Sequence, residues 1–192
     1  MAVFYVRKKV IAMSIKNIQT QLGVVADGVW GGVSHTALIR ALKDGKQIKI
    51  SDSFYLSELL ASQTAERNNI DNTPTPVAFM HLVGSVDNLW QPVRDLLGAP
   101  MLITSGYRGE KLNAMVGGKP SSAHQHGYAI DFHAPKFGNT RDIVKFLAGE
   151  LPKRGIKFDQ LIIEYPNSPN SWVHLAWKNQ YGLQRGQVFR IG

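Results

Sequence analysis

Cysteine is absent from all 192 residues, which excludes a disulfide framework and any thiolate chemistry, including cysteine-ligated metal. No apolar run approaches the ~20 residues of a membrane-spanning helix. The first residues, Met1-Ala-Val-Phe-Tyr-Val-Arg-Lys-Lys9, lack the long apolar core and small-residue cleavage site of a secretory signal. Met1 and Met13 are both candidates for the natural start, the second making residues 1–12 a leader or upstream extension. No internal repeat or low-complexity tract is present. Acidic residues are the scarcer sign, 14 against 22 Lys and Arg, for a net charge of +8.

That charge is uneven. Residues 1–50 carry Arg7, Lys8, Lys9, Lys16, Arg40, Lys43, Lys46 and Lys49 against only Asp27 and Asp44. A basic front beside a near-neutral remainder predicts attraction to an anionic surface, such as a charged cell-wall polymer or an outer membrane. No nucleic-acid motif and no basic stripe interleaved with aromatics is present, so nucleic acid is not expected as a partner. At 44% hydrophobic, the chain can bury one main core plus a small module, and we expect a monomer.

What is present is a set of metal-ligand residue types. Ser122-Ala-His-Gln-His-Gly-Tyr-Ala-Ile-Asp131 is followed by His174 within Trp172-Val-His-Leu-Ala-Trp177. Two imidazoles and one carboxylate, His124, Asp131 and His174, match the three protein ligands of a catalytic zinc site. Such a site polarises a carbonyl and makes water nucleophilic near neutral pH, so amide hydrolysis is the expected chemistry. A turn at Gly127 and period-two alternation over Tyr128 to His133 put Asp131 on one strand face, with Ala129 and His133. His174 shares a face with Trp172 and Ala176, so two neighbouring strands can converge on one ion. A single histidine beside an apolar strand is more often a hydrogen-bonded structural residue; the full constellation carries the reading. His126 is expected to shape the site, and His133 to be an exposed strand residue.

These residues also carry a resemblance. The Ser-x-His-x-x-Gly-x-Ala-x-Asp pattern with a later Trp-Val-His strand resembles the zinc D-Ala-D-Ala carboxypeptidase family of peptidoglycan peptidases, whose fold the hedgehog signalling domain shares. Phe54-Tyr-Leu-Ser-Glu-Leu-Leu60, Ile70-Asp-Asn-Thr-Pro74, Leu89-Trp-Gln-Pro-Val-Arg-Asp95, Ser105-Gly-Tyr-Arg108 and Leu112-Asn-Ala-Met-Val-Gly-Gly118 resemble successive blocks of one branch. The likeness runs over residues 51–178. It implies zinc at His124, Asp131 and His174, and Arg108 facing the substrate carbonyl, where its fixed charge would stabilise an oxyanion. It also implies a substrate-side hydroxyl at Ser122. Many relatives carry an acidic residue three positions before the last zinc histidine, but here that position is Ser171. We take Glu164, closing Phe158-Asp-Gln-Leu-Ile-Ile-Glu164, as the replacement general base, because a hairpin would return the chain from it to His174. Asp159 is the weaker candidate.

The front end has its own pattern. Ile15, Ile18 and Leu22 have helical spacing up to Gly23, Asp27-Gly-Val-Trp-Gly31 is turn-rich, and Ser34 is expected to cap a second helix. This resembles about half of the helical peptidoglycan-binding module often attached to wall hydrolases, and we expect it to dock on the catalytic part.

The remaining expectations are a helix over 54–67 capped by Asp52 or Ser53, and a helix opened by Pro74 and Pro76, broken at Pro92 and ended at Gly98. A strand over 101–105, a loop over 113–122 and a helix capped by Asn139 or Thr140 follow. Strands are expected at 128–133, 158–164 and 171–177. The fold class is α+β, a small and mostly antiparallel sheet with helices packed on it and the zinc site on the sheet. The domain reading is a leader at 1–12, a helical module at 13–50, a catalytic domain at 51–180 and a tail at 181–192.

These features imply zinc-dependent hydrolysis of an amide bond in peptidoglycan stem peptides or cross-links. A phage or prophage endolysin, an endopeptidase held in the host cytoplasm until release to the wall, fits the organisation. The alternatives are a D-Ala-D-Ala carboxypeptidase of cell-wall metabolism or a non-catalytic zinc-bearing wall-binding protein.

Overall fold

The computed structural model describes residues 13–192, so the leader reading for residues 1–12 lies outside the described residues. A helix over 13–22 (α1) and α2 (Gly32–Lys43) come first, then the short helices α3 (Leu56–Leu60) and α4 (Gln63–Arg67). Next are α5 (Pro76–Ser85), a π-helical turn (Val86–Trp90), α6 (Gln91–Leu97), strand β1 (Leu102–Ser105) and α7 (Glu110–Met115). The order ends with β2 (Ala129–His133), α8 (Thr140–Lys153), β3 (Gln160–Glu164), β4 (Trp172–Ala176) and β5 (Gln187–Ile191). Among the described residues, no helix is long and apolar enough to cross a membrane.

The five strands form one mixed sheet in the order β1-β2-β4-β3-β5. All pairings are antiparallel except β3 with β5, which is parallel. Period-two alternation gives the sheet two different faces. Ile130, Phe132, Leu161, Ile163, Val173 and Leu175 are buried in one core with Phe79, Leu82, Trp90 and Leu147 of the helices. The other face carries Asp131, His174 and Glu164. The architecture is the expected α+β class, with helices covering one face and polar chemistry on the other.

Several local expectations need correction. The 54–67 segment is two helices, because tertiary partners take the carbonyls that a continuous helix would use. Leu59 O accepts from Tyr107 N at 2.8 Å, and Leu60 O accepts from Asn72 Nδ2 at 2.9 Å. Tyr55, rather than Asp52 or Ser53, is the N-cap of α3, and its N–H donates to Glu58 Oε1 at 2.7 Å. Ser62 caps α4 by accepting from Ala65 N. Pro74 precedes the long helix, which opens at Pro76 behind the Thr75 cap. Ser34 does not cap α2 either; Gly31 holds that position and Ser34 is buried inside the helix.

The break at Pro92 takes a specific form. Proline has no N–H and clashes with the carbonyl four residues back. The chain widens just ahead of it, where Gln91 N donates to Val86 O, five residues back. Gly98 then closes α6 in the left-handed region, at φ 57°.

The front helices do not stand apart. Ile15, Ile18, Leu38 and Ala41 belong to the same buried cluster as Phe79 and Trp90. Trp30 stacks on Phe79 with ring centroids 4.2 Å apart. The buried Gln19 amide ties the loop between the helices, donating to Asp27 Oδ1, Val29 O and Ser34 Oγ and accepting from Gly28 N.

Ser14 of α1 donates to Asp87 Oδ1 at 2.9 Å in the π-helical turn, while Asp87 Oδ2 is buried without a partner among the described residues. Burial pushes the Asp87 carboxyl up to about 6 from an ordinary 3.8, against the opposing hydrogen bond from Ser14. A carboxyl with a raised folded-state pKa binds its proton more tightly when folded, so its contribution to stability falls as pH rises from about 4 to about 6. We expect Asp87→Asn to flatten that part of the stability-pH curve. Its advantage over wild type should grow by about 2 kcal/mol between pH 4 and pH 7, read from urea unfolding of both proteins across the range.

Residues 181–192, expected as a tail, supply β5. Asp159, almost fully buried at the base of β3, holds Arg185 in a two-pronged pair, Nε to Oδ1 at 2.7 Å and Nη2 to Oδ2 at 2.6 Å. That clamp delivers the chain to the sheet edge, where Gly186 N and Gln187 N donate to Phe158 O and Asp159 O.

Candidate metal centre

Three buried ligand-type side chains converge on the polar face of the sheet. Asp131 and His174 are direct cross-strand partners on β2 and β4. His124 reaches them from the turn before β2. That turn needs Gly127, whose φ is 73° and whose α-carbon lies against the Ala78 carbonyl of α5. His174 Nδ1 is 2.9 Å from Asp131 Oδ1, His124 Nε2 is 3.2 Å from the same oxygen, and the two ring nitrogens are 3.2 Å apart. Among the described residues these three form the group able to hold a metal ion.

The donor chemistry fits a cation. His124 Nδ1 donates to Gly106 O at 2.7 Å, which fixes the tautomer and leaves Nε2 as a bare lone pair facing the other two atoms. Burial pushes His124 down toward its neutral form, with Asp131 opposing. Burial alone would raise Asp131, but the His124 and His174 imidazoles beside it hold its carboxyl well below the usual range. One carboxylate oxygen and two imidazole nitrogens thus converge within 3.2 Å, and once both rings are neutral the contact of His124 Nε2 with Asp131 Oδ1 sets lone pair against lone pair. One divalent cation satisfies all three. The edges of a tetrahedron built on zinc–nitrogen and zinc–oxygen bonds of ~2.0–2.1 Å are roughly 3.3 Å, close to the separations seen here.

Arg108 stands behind the carboxylate. Its Nη2 donates to Asp131 Oδ2 at 2.8 Å and its Nε to Ser105 Oγ at 2.9 Å. It thus orients the carboxylate as well as lining the cleft. Glu164 lies on the same sheet face, with Oε1 3.9 Å from His174 Nδ1. Burial and then the Asp131 charge raise its pKa. Ser122 is half-buried and lines the cleft from the loop after α7.

The competing candidates are engaged elsewhere. Asp159 is held by Arg185. Ser171 donates to Glu164 O at 3.0 Å and lies 3.0 Å from Thr140 Oγ1, so it buttresses the end of β3. His126 offers its carbonyl to His81 Nδ1 and, like the half-buried His133, does not line the cleft. The 113–122 segment begins inside α7; the Asn113 amide donates to Lys119 O and Gln125 Oε1 and so braces the loop that follows.

Asn72, inside the Ile70-Asp-Asn-Thr-Pro74 motif, has a role that its local sequence does not signal. Its side chain donates to Leu60 O and Tyr107 O and accepts from Gly109 N, clasping the chain on both sides of Arg108. We expect Asn72→Ala to cost about 2–3 kcal/mol, since three part-buried hydrogen bonds share this one amide. It should also lower turnover more than zinc affinity, as measured by denaturant unfolding, zinc titration and kinetics on one preparation.

A polar sheet face with a His-Asp-His group, a neighbouring glutamate and an open cleft of about 1260 Å³ defines a metallohydrolase-type centre. A profile of the family described as peptidase M15 matches residues 52–176, and the chain belongs to that family. Peptidases of this family are zinc-dependent, and the His124, Asp131 and His174 donors fit that ion. No curated protein matches the chain.

Proposed function

We propose that this protein is a zinc endopeptidase that cuts an amide bond in peptidoglycan stem peptides or cross-links, acting as a phage or prophage lysis enzyme. The observation that carries the reading is the placement of Glu164 beside the three-donor group, on the wall of a cleft in a peptidase M15 chain. A zinc ion held by His124, Asp131 and His174 would supply Lewis acidity and a more acidic bound water.

The chain's own residues do the rest. Glu164 accepts a proton from the attacking water and passes it to the departing amine nitrogen. Arg108 holds Asp131 through Nη2, and its fixed positive charge faces the developing oxyanion. Ser122 contacts the substrate from the loop wall. The open cleft, at about 1260 Å³, has room for several residues of an extended peptide. The basic front, with Lys16, Arg40, Lys43, Lys46 and Lys49, supports attraction to an anionic wall surface. Residence in a host cytoplasm until release to the wall belongs to the same proposal, which rests on a short helical front joined to one catalytic unit.

Mass spectrometry of muropeptides from digested peptidoglycan tests this. New amino termini inside the stem or cross-link support the endopeptidase. Released D-Ala alone identifies a carboxypeptidase. Intact muropeptides with zinc-loaded protein would identify a wall-binding protein instead.

A further inference from the structure

Strand β5 lies beyond residue 176, where the family match ends, yet it forms part of the cleft wall. Its register with β3 sets Phe189 beside Ile162 and Ile191 beside Glu164. Paired positions share a sheet face, so Asp131, His174, Ile162 and Phe189 make one row across β2, β4, β3 and β5. Phe189 therefore stands two strands from His174, roughly 9–10 Å at ~4.8 Å per strand.

Apolar side chains are uncovered at that end of the row. Phe189 is 36% exposed, Ile191 47% and Tyr165 51%. Tyr165 packs against Trp172 with ring centroids 5.1 Å apart, and all four residues line the cleft with Glu164 and His174. Apolar side chains left exposed along one cleft wall offer a contact surface.

The backbone is committed to holding it there. Tyr165 takes φ 51°, a left-handed conformation uncommon for a bulky residue, and its N–H donates to Ile191 O at 2.7 Å. The Arg185–Asp159 clamp fixes the start of the same strand.

We propose that Phe189, Ile191, Tyr165 and Trp172 form a specificity subsite that receives an apolar side chain of the substrate peptide about three residues from the scissile bond. The distance sets that register, because an extended peptide advances ~3.3 Å per residue. The subsite is an addition of this chain's C-terminal strand to the matched catalytic unit, and it rests on reading the cleft as a peptidase site.

The test uses full-length, zinc-loaded Glu164→Gln protein, which should bind without turnover. Calorimetric titration with oligoglycine peptides carrying one leucine at successive positions scans the cleft. One leucine position should bind about tenfold tighter than oligoglycine, in line with partial burial of a leucine side chain. Phe189→Ala should abolish that preference, and Phe189→Leu should keep most of it. Equal binding of every peptide, or a preference that survives Phe189→Ala, overturns the subsite. Wild-type hydrolysis of muropeptides is measured alongside. Its absence with the preference intact would sink the peptidase reading alone, and its presence with no preference would sink the subsite alone.

Discussion

Glu164→Gln should lower peptidoglycan hydrolysis about 10²- to 10⁴-fold, the usual range for a general acid–base group, while leaving one equivalent of zinc bound. The substitution keeps the volume and some hydrogen-bonding capacity but removes proton transfer. Glu164 Oε1 is 3.9 Å from His174 Nδ1, outside the cluster whose donors lie 2.9–3.2 Å apart. It borders the metal site without completing it, so loss of turnover should separate from loss of metal. Zinc analysis and muropeptide kinetics on the same preparation check both halves. Undiminished hydrolysis would remove Glu164 from the reaction, and lost zinc would make it a ligand.

Gly106→Ala should be among the most damaging single-methyl changes in the protein, costing about 3–5 kcal/mol of stability and weakening zinc binding with it. A methyl at that position would press into the Leu59 carbonyl, with the carbonyl carbon only 2.9 Å away. Neither partner is a flexible side-chain tip; both are backbone. The same carbonyl accepts from Tyr107 N, and Gly106 O accepts from His124 Nδ1. Relief of the clash would therefore move the Arg108 loop and turn the His124 ring together. Thermal unfolding with and without added zinc measures the two effects. A variant as stable as wild type, with unchanged zinc affinity, would show that the close approach of α3 and this turn does not support the site.

The half of the sheet that carries Asp131 and His174 was legible because its signals are local. Alternation over Tyr128 to His133 and over Trp172 to Trp177 set the facing of Asp131 and His174, and the structure pairs those residues directly. The proline at 92 announced a break, though not its π-helical form. What could not be read depends on partners distant in sequence. Nothing near Leu60 shows that Asn72 and Tyr107 will take the carbonyls of α3 and stop it. Nothing near Arg108 shows that its guanidinium will grip Asp131, a residue 23 positions away. Strand β5 was missed because Gln187 to Ile191 stays exposed at a sheet edge, held by the Arg185–Asp159 clamp rather than by a strong apolar pattern. Glu164 lay between these cases. Its place at a strand end was readable, but its distance from His174 required the register of β3 on β4.

Zinc titration of chelator-stripped protein, wild type beside His174→Ala, tests the three-donor centre most directly. The account predicts one tightly held equivalent in the wild type, restored hydrolysis on loading, and neither in the variant at any zinc level that leaves it folded. A wild type that takes up no zinc, or a variant that binds it equally well, would contradict it.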